Sequence, residues 1–113
     1  MRESTPKFIQ GIFPFTGAGL EVSAPLASFT VAPDKRAQPI YFRAGNSSDA
    51  LVILSVTKDG ALMRYFPIGA GASEHVPLAV VEDIMPDSVI AIAVSAPAGV
   101  SGTVVVDFGL VEI

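Results

Sequence analysis

Between Asp87 and Asp107 lie nineteen consecutive residues, Ser88 to Val106, that carry no charge: SVIAIAVSAPAGVSGTVVV. A helix of about 20 such residues would cross a bilayer. This run is no such helix, because Pro97, Gly99 and Gly102 interrupt its middle and each half is short and rich in Val and Ile. Proline removes a backbone donor, and β-branched side chains favour the extended chain. The run therefore reads as two β-strands, Ser88–Ser95 and Thr103–Phe108, joined by a turn as a hairpin-like pair, with Leu110–Ile113 extending the second. A sheet this apolar needs cover on more than one side.

The rest of the composition points the same way. A chain of 113 residues is expected to form one domain, large enough to hold a core without covalent staples. Charged residues are 16 %, against about 25 % in an average soluble domain. Apolar residues make up 50 % and the mean hydropathy is +0.56. So little polar surface predicts that part of the fold is buried against neighbouring subunits or a larger body. There is no cysteine, which excludes disulfides, thiolate metal sites and cysteine nucleophiles. Net charge is −4, and the seven basic residues are scattered rather than clustered, so no nucleic-acid partner is expected. The N-terminus has no apolar core of the signal-peptide kind, so the protein is expected to be made and used without export, and no membrane partner is expected.

Residues 1–25 read as an arm. Pro6, Pro14 and Pro25, with Gly11, Gly17 and Gly19, oppose a helix, while Phe8, Ile9, Ile12, Phe13 and Phe15 are too apolar to float in water. Such an arm packs on its own domain or on a neighbour, or else is a first edge strand of the domain itself. Residues 26–113 form the domain proper. Strands are predicted at Leu26–Val31, Ala37–Ala44, Ala50–Thr57, Ala61–Ile68 and Ser73–Leu78, with Val80–Met85 a short strand or a helical turn. Pro39 inside the second of these argues for an edge position. Ala32-Pro33-Asp34-Lys35 is a turn, and Lys58-Asp59-Gly60 is a type I′ hairpin signal. Roughly seven to eight strands at spacings of about 8–12 residues describe an all-β, antiparallel sandwich, jelly-roll or Ig-like, with an extended N-terminal arm. In Ser88–Ser95 one face carries Ile90, Ile92 and Val94. The other carries Val89, Ala91 and Ala93, small and apolar where a wetted strand would place Thr, Lys or Glu.

Catalytic signals are weak. His75 is the one histidine, and neighbouring strand residues such as Ser73 and Glu74 do not all point to one site. Gly69-Ala70-Gly71-Ala72 and Gly17-Ala18-Gly19 lack both the lysine and the following helix of a phosphate loop and read as turns. Glu82, Asp83 and Asp87 do not have the spacing of a calcium loop and read as a solvated turn. No catalytic residue, metal ligand or cofactor is expected.

The stretch Phe29 to Asp49, FTVAPDKRAQPIYFRAGNSSD, together with the ending Val104-Val105-Val106 … Val111-Glu112-Ile113, resembles small β-sandwich proteins of tailed bacteriophages. Those proteins have a "TVPAGKRA"-like strand and turn, a strand ending at an Asn-Ser or Asn-Thr loop, and a terminal "Val-Glu-Ile"-like tail. Here Ala32-Pro33-Asp34 stands in place of Pro-Ala-Gly, and the arm lies outside the resemblance. The resemblance implies a virion structural protein, not an enzyme: a capsid decoration (cementing) or tail accessory subunit, made in the host cytoplasm. It would form a homo-oligomer, a trimer being favoured, and dock on a capsid or tail lattice. The expected contact residues are Phe8, Ile9, Ile12, Phe13, Phe15, Val89, Ala91 and Ala93. The alternative reading is a ligand- or carbohydrate-binding sandwich module, against which stands the lack of Trp and the presence of only two Tyr.

Overall fold

A computed structural model describes residues 4–78 and 83–113. It contains eight strands: β1 (Thr5–Thr16), β2 (Gly19–Thr30), β3 (Ala37–Asn46), β4 (Val52–Lys58), β5 (Ala61–Ile68), β6 (Ser73–Pro77), β7 (Val89–Ala96) and β8 (Ser101–Glu112). All pairings are antiparallel, in two four-stranded sheets of order β1-β8-β3-β6 and β2-β7-β4-β5. Of the two expected forms of sandwich, this order is the jelly-roll.

Most consecutive strands change sheet. The β4–β5 pair is the hairpin among the described strands, and it turns at Asp59 and Gly60. Their φ values of 51° and 84° are the two positive angles that a type I′ turn requires. The uncharged run does form two strands, but they are not a hairpin: β7 lies in the second sheet and β8 in the first. The chain crosses the sandwich at Pro97–Val100, where Gly17 N–H donates to Val100 O (2.6 Å) and Gly99 N–H donates to Gly17 O (3.0 Å). This lacing ties the β7–β8 crossing to the β1–β2 crossing. It gives each apolar strand a place inside its sheet rather than a place beside the other.

The division expected at residue 25 falls inside β2, and the expected arm is β1 together with most of β2. β1 pairs with β8 along its whole length, from Thr5↔Glu112 to Thr16↔Ser101. Its prolines fit because β1 is an edge strand, where a missing N–H goes unnoticed. Pro39 corrects the converse expectation, since β3 is an inner strand. Its pairing with β6 begins only at Tyr41, and a register shift separates Pro39 from Tyr41 on the β8 side. The proline thus lies beyond the reach of the β6 ladder. The Val80–Glu82 part of the expected Val80–Met85 element lies outside the described residues. Ile84 is fully buried and bridges to Ala37.

The core is the inner face of both sheets: Phe42, Ala44, Val104, Val106, Phe108 and Leu110 against Val52, Leu54, Phe66, Ile68, Ile90, Ile92 and Val94. Phe42 stacks on Phe66 across the layers (centroids 4.0 Å apart) and meets Phe108 edge-on (5.8 Å). At one end, Asn46 is buried and holds the loop after β3. Its Nδ2 donates to the carbonyls of Ala50 (2.8 Å), Gly69 (3.1 Å) and Ile68 (3.3 Å), and its Oδ1 accepts from Ser48 N–H (2.9 Å) and Oγ–H (2.8 Å).

Candidate functional site

With the inner faces spent on the core, the two outer faces are the broad surfaces left open to contact, and they differ in make-up. The register of the second sheet lines up Thr30–Val89, then Ser28–Ala91–Thr57–Leu62, then Pro25–Ala93–Ser55–Tyr65, then Ser95–Ile53–Pro67. None of these residues is charged, and those at the centre are small. Tyr65 (64 % exposed) and Leu62 (50 %) stand at one margin and Val89 (39 %) near the other.

The first sheet presents Phe8–Gly109–Tyr41–Pro77, then Gln10–Asp107–Arg43–His75, then Ile12–Val105–Gly45–Ser73. Its middle row is a polar network. Asp107 Oδ1 accepts from Gln10 Nε2 (3.0 Å) and from the Tyr41 hydroxyl (2.9 Å), while Oδ2 stands 3.7 Å from Arg43 Nη1. The Tyr41 ring lies flat across Gly109, so close that a Cβ there would come 2.1 Å from the ring. Glycine therefore makes room for the aromatic. The edge of this ring system meets His75 at 6.0 Å in a T-shaped contact. Partial burial, the hydrogen bond to Asp107 and the negative charge of Asp107 raise the Tyr41 phenol above its ordinary value, with Arg43 pulling weakly the other way. Beside this network lies a groove of about 520 Å³ lined by Arg43, Gly45, Ser73, Glu74, His75, Val105 and Asp107.

The residues expected to make contacts divide between these faces and the core. Phe8 (55 % exposed) and Ile12 (72 %) stand on the outer face of the first sheet. Ile9 and Phe15, at the opposite parity of β1, point inward and belong to the core, and Phe13 packs against it half-buried. Strand alternation separates them, because an apolar run counted as an arm has no faces whereas a strand has two. Val89, Ala91 and Ala93 lie on the outer face of the second sheet. The Gln10–Tyr41–Arg43–His75–Asp107 cluster has no local signal in the sequence, since its members come together only through the β1–β8–β3–β6 register.

Of the acidic cluster, Asp83 is held by Arg36 (2.7 Å) and by Gln38 Nε2 (2.7 Å), and Glu82 lies outside the described residues. Among the described residues no group of His, Asp and Glu is arranged to hold a metal ion. His75 is exposed on edge strand β6, and its aromatic neighbour is Tyr41.

Fold and faces together define an all-β jelly-roll domain with one outer surface whose rows are uncharged and another in which a polar row lies between two largely apolar ones. No protein-family model matches the chain, and no curated protein matches it significantly. Among solved structures it is similar to the CBM36-1 domain of a multidomain xylanase from the hindgut metagenome of Trinervitermes trinervoides. The identity is 13 % and the TM-score 0.59, over 95 % of this chain and 96 % of that one. It is also similar to a chain of infectious bursal disease virus, Gx strain, with 20 % identity and a TM-score of 0.56 over 98 % of this chain and 32 % of that one. A chain of the disulfide-linked pili that form Bacillus endospore appendages matches at 10 % identity and a TM-score of 0.53, over 98 % and 89 %. At these identities the likeness shows a shared β-sandwich fold.

Proposed function

We propose that this protein is a non-enzymatic structural subunit that packs through the outer face of β2-β7-β4-β5 against further copies of itself and so builds into a larger protein lattice. The observation that carries this is the uncharged face itself: four cross-strand rows without Asp, Glu, Lys, Arg or His, in a chain of net charge −4. Such a surface has no charged group to desolvate when a second sheet packs on it. Burying Tyr65, Leu62 and Val89, now 64 %, 50 % and 39 % exposed, would contribute on the order of 1–2 kcal/mol each. The resemblance of residues 29–49 and of the C-terminal tail to phage sandwich proteins favours a virus particle as that lattice, with a decoration or tail accessory role. The virus and pilus chains of similar fold are in keeping with a sandwich used as a building unit.

The test is solution mass by light scattering on the wild type and on Ala93→Arg, which places a charge at the centre of the face. The expected result is a defined multimer of the 11.7 kDa chain that Ala93→Arg reduces to monomer, with unchanged far-UV circular dichroism. A wild type that stays monomeric at high concentration overturns the proposal.

A further inference from the structure

The groove on the other sheet has a different character, and we infer that it is a binding site for a neutral oligosaccharide. Its chemistry begins at Asp107. Oδ1 is already occupied by Gln10 and Tyr41, which fix the carboxylate in place. Oδ2 faces Arg43 Nη1 across 3.7 Å, beyond hydrogen-bond length. One hydroxyl oxygen seated between them reaches both, donating to Oδ2 and accepting from Nη1. A sugar hydroxyl, which donates and accepts at the same atom, fits that gap. A carboxylate or a phosphodiester brings no donor for Oδ2, and an ammonium brings no acceptor for Arg43.

The surroundings agree with this occupant. Arg43 is 59 % exposed, so its guanidinium keeps further donors directed away from Asp107. Ser73, Glu74 and His75 line the same groove, and among the described residues their side-chain polar atoms have no hydrogen-bond partner. Gly45 and Val105 form a low floor. The Tyr41 ring lies flat on Gly109 beside the network, a platform of the kind on which the C–H face of a pyranose packs. With Arg43 set against Asp107 and Glu74 the groove carries a small negative excess, which disfavours a polyanion, while Arg43 at its centre stands against a polycation. The volume of about 520 Å³ suits a few sugar units lying across an open face.

This site does not depend on the self-association proposed above, because it occupies the opposite sheet. The experiment is amide NMR titration of the full chain with a panel of neutral oligosaccharides (cello-, xylo-, manno- and malto-oligosaccharides) and with oligogalacturonate as the anionic comparison. At least one neutral member is expected to bind, with shifts centred on Arg43, Gly45, His75 and Asp107. Arg43→Ala and Asp107→Asn are each expected to weaken binding by about tenfold or more, the loss of a hydrogen bond to a charged group. Arg43 is exposed and outside the core, so its variant folds. Ala93→Arg is expected to leave the affinity unchanged, which separates this site from the self-association face. Three results overturn the inference: no neutral member binding at millimolar concentration, binding by oligogalacturonate alone, or affinity unchanged in both groove variants.

Discussion

Asn46→Ala is expected to be among the most damaging single changes in this protein outside the apolar core. The side chain is buried, at 4 % exposure, and its amide makes contact with three segments: the loop between β3 and β4, the end of β5 and the loop after it. Five hydrogen bonds of 2.8 to 3.3 Å converge on it. Its two amide hydrogens serve three carbonyls, so the 3.3 Å contact to Ile68 is discounted and four bonds remain. At about 1 kcal/mol net per bond the loss is about 3–4 kcal/mol, and part-buried carbonyls left without donors keep the figure from falling lower. Against a total stability of about 5–15 kcal/mol for a domain of this kind, that is a large share. Urea unfolding followed by circular dichroism measures it. With a slope of about 1–3 kcal/mol per molar, the midpoint falls by roughly 1–4 M. Asn46→Asp is the companion variant. It keeps the acceptor for Ser48, removes both donors and directs a negative oxygen at three carbonyls, so it is expected to be no better than alanine. A loss below about 1 kcal/mol for Asn46→Ala, or an Asn46→Asp protein as stable as the wild type, would refute the view that the donors hold the loops together.

Two further outcomes follow from the two faces of β1 and from Tyr41. Ile9→Ala is expected to cost about 2–5 kcal/mol in urea unfolding, and Ile12→Ala, three residues along the same strand, about 0.5 kcal/mol or less, because one side chain is in the core and the other on the surface; equal costs would contradict the assigned parity. The raised phenol of Tyr41 binds its proton more tightly in the folded state than in the unfolded. Its stabilising contribution is therefore complete below the ordinary tyrosine value of about 10 and is lost as pH rises from there through the folded value. Stability measured across that window is expected to fall more steeply in the wild type than in Tyr41→Phe, and identical slopes would count against the Asp107 contact.

Much of this fold is legible along the chain. The strand of Ala61–Ile68 is found with its predicted bounds, and the Asp59-Gly60 turn is found with the predicted backbone. Both follow from local signals: the tolerance of Asp-Gly for positive φ marks the turn, and a hairpin turn after Ala50–Thr57 implies a returning strand. Residues 1–25 left open an arm or a first edge strand, and β1 is the edge strand. Failure came at Pro39 and at the supposed Ser88–Val106 hairpin, and in both cases the missing information was which strand lies beside which. Proline is read as an edge signal because its absent N–H matters only where a neighbour waits for it, and the sequence does not say where β6 begins to pair. The two halves of the uncharged run read as neighbours because they are close in sequence, whereas the Pro97–Val100 crossing sends them to different sheets.

The chain alone therefore determined an all-β domain of about eight strands, poor in charge and with faces to bury, since period, turn chemistry and composition are properties of short segments. Only the tertiary structure decided what each outer surface is made of. The charge-free face and the Asp107 network are each assembled from four strands, and cross-strand register, set by the packing of the two inner faces, brings Gln10, Tyr41, Arg43, His75 and Asp107 into one row or its neighbour. A slip of one residue in β8 would turn Asp107 into the core, so the burial of Val106 and Phe108 on either side of it is what keeps the carboxylate on the surface.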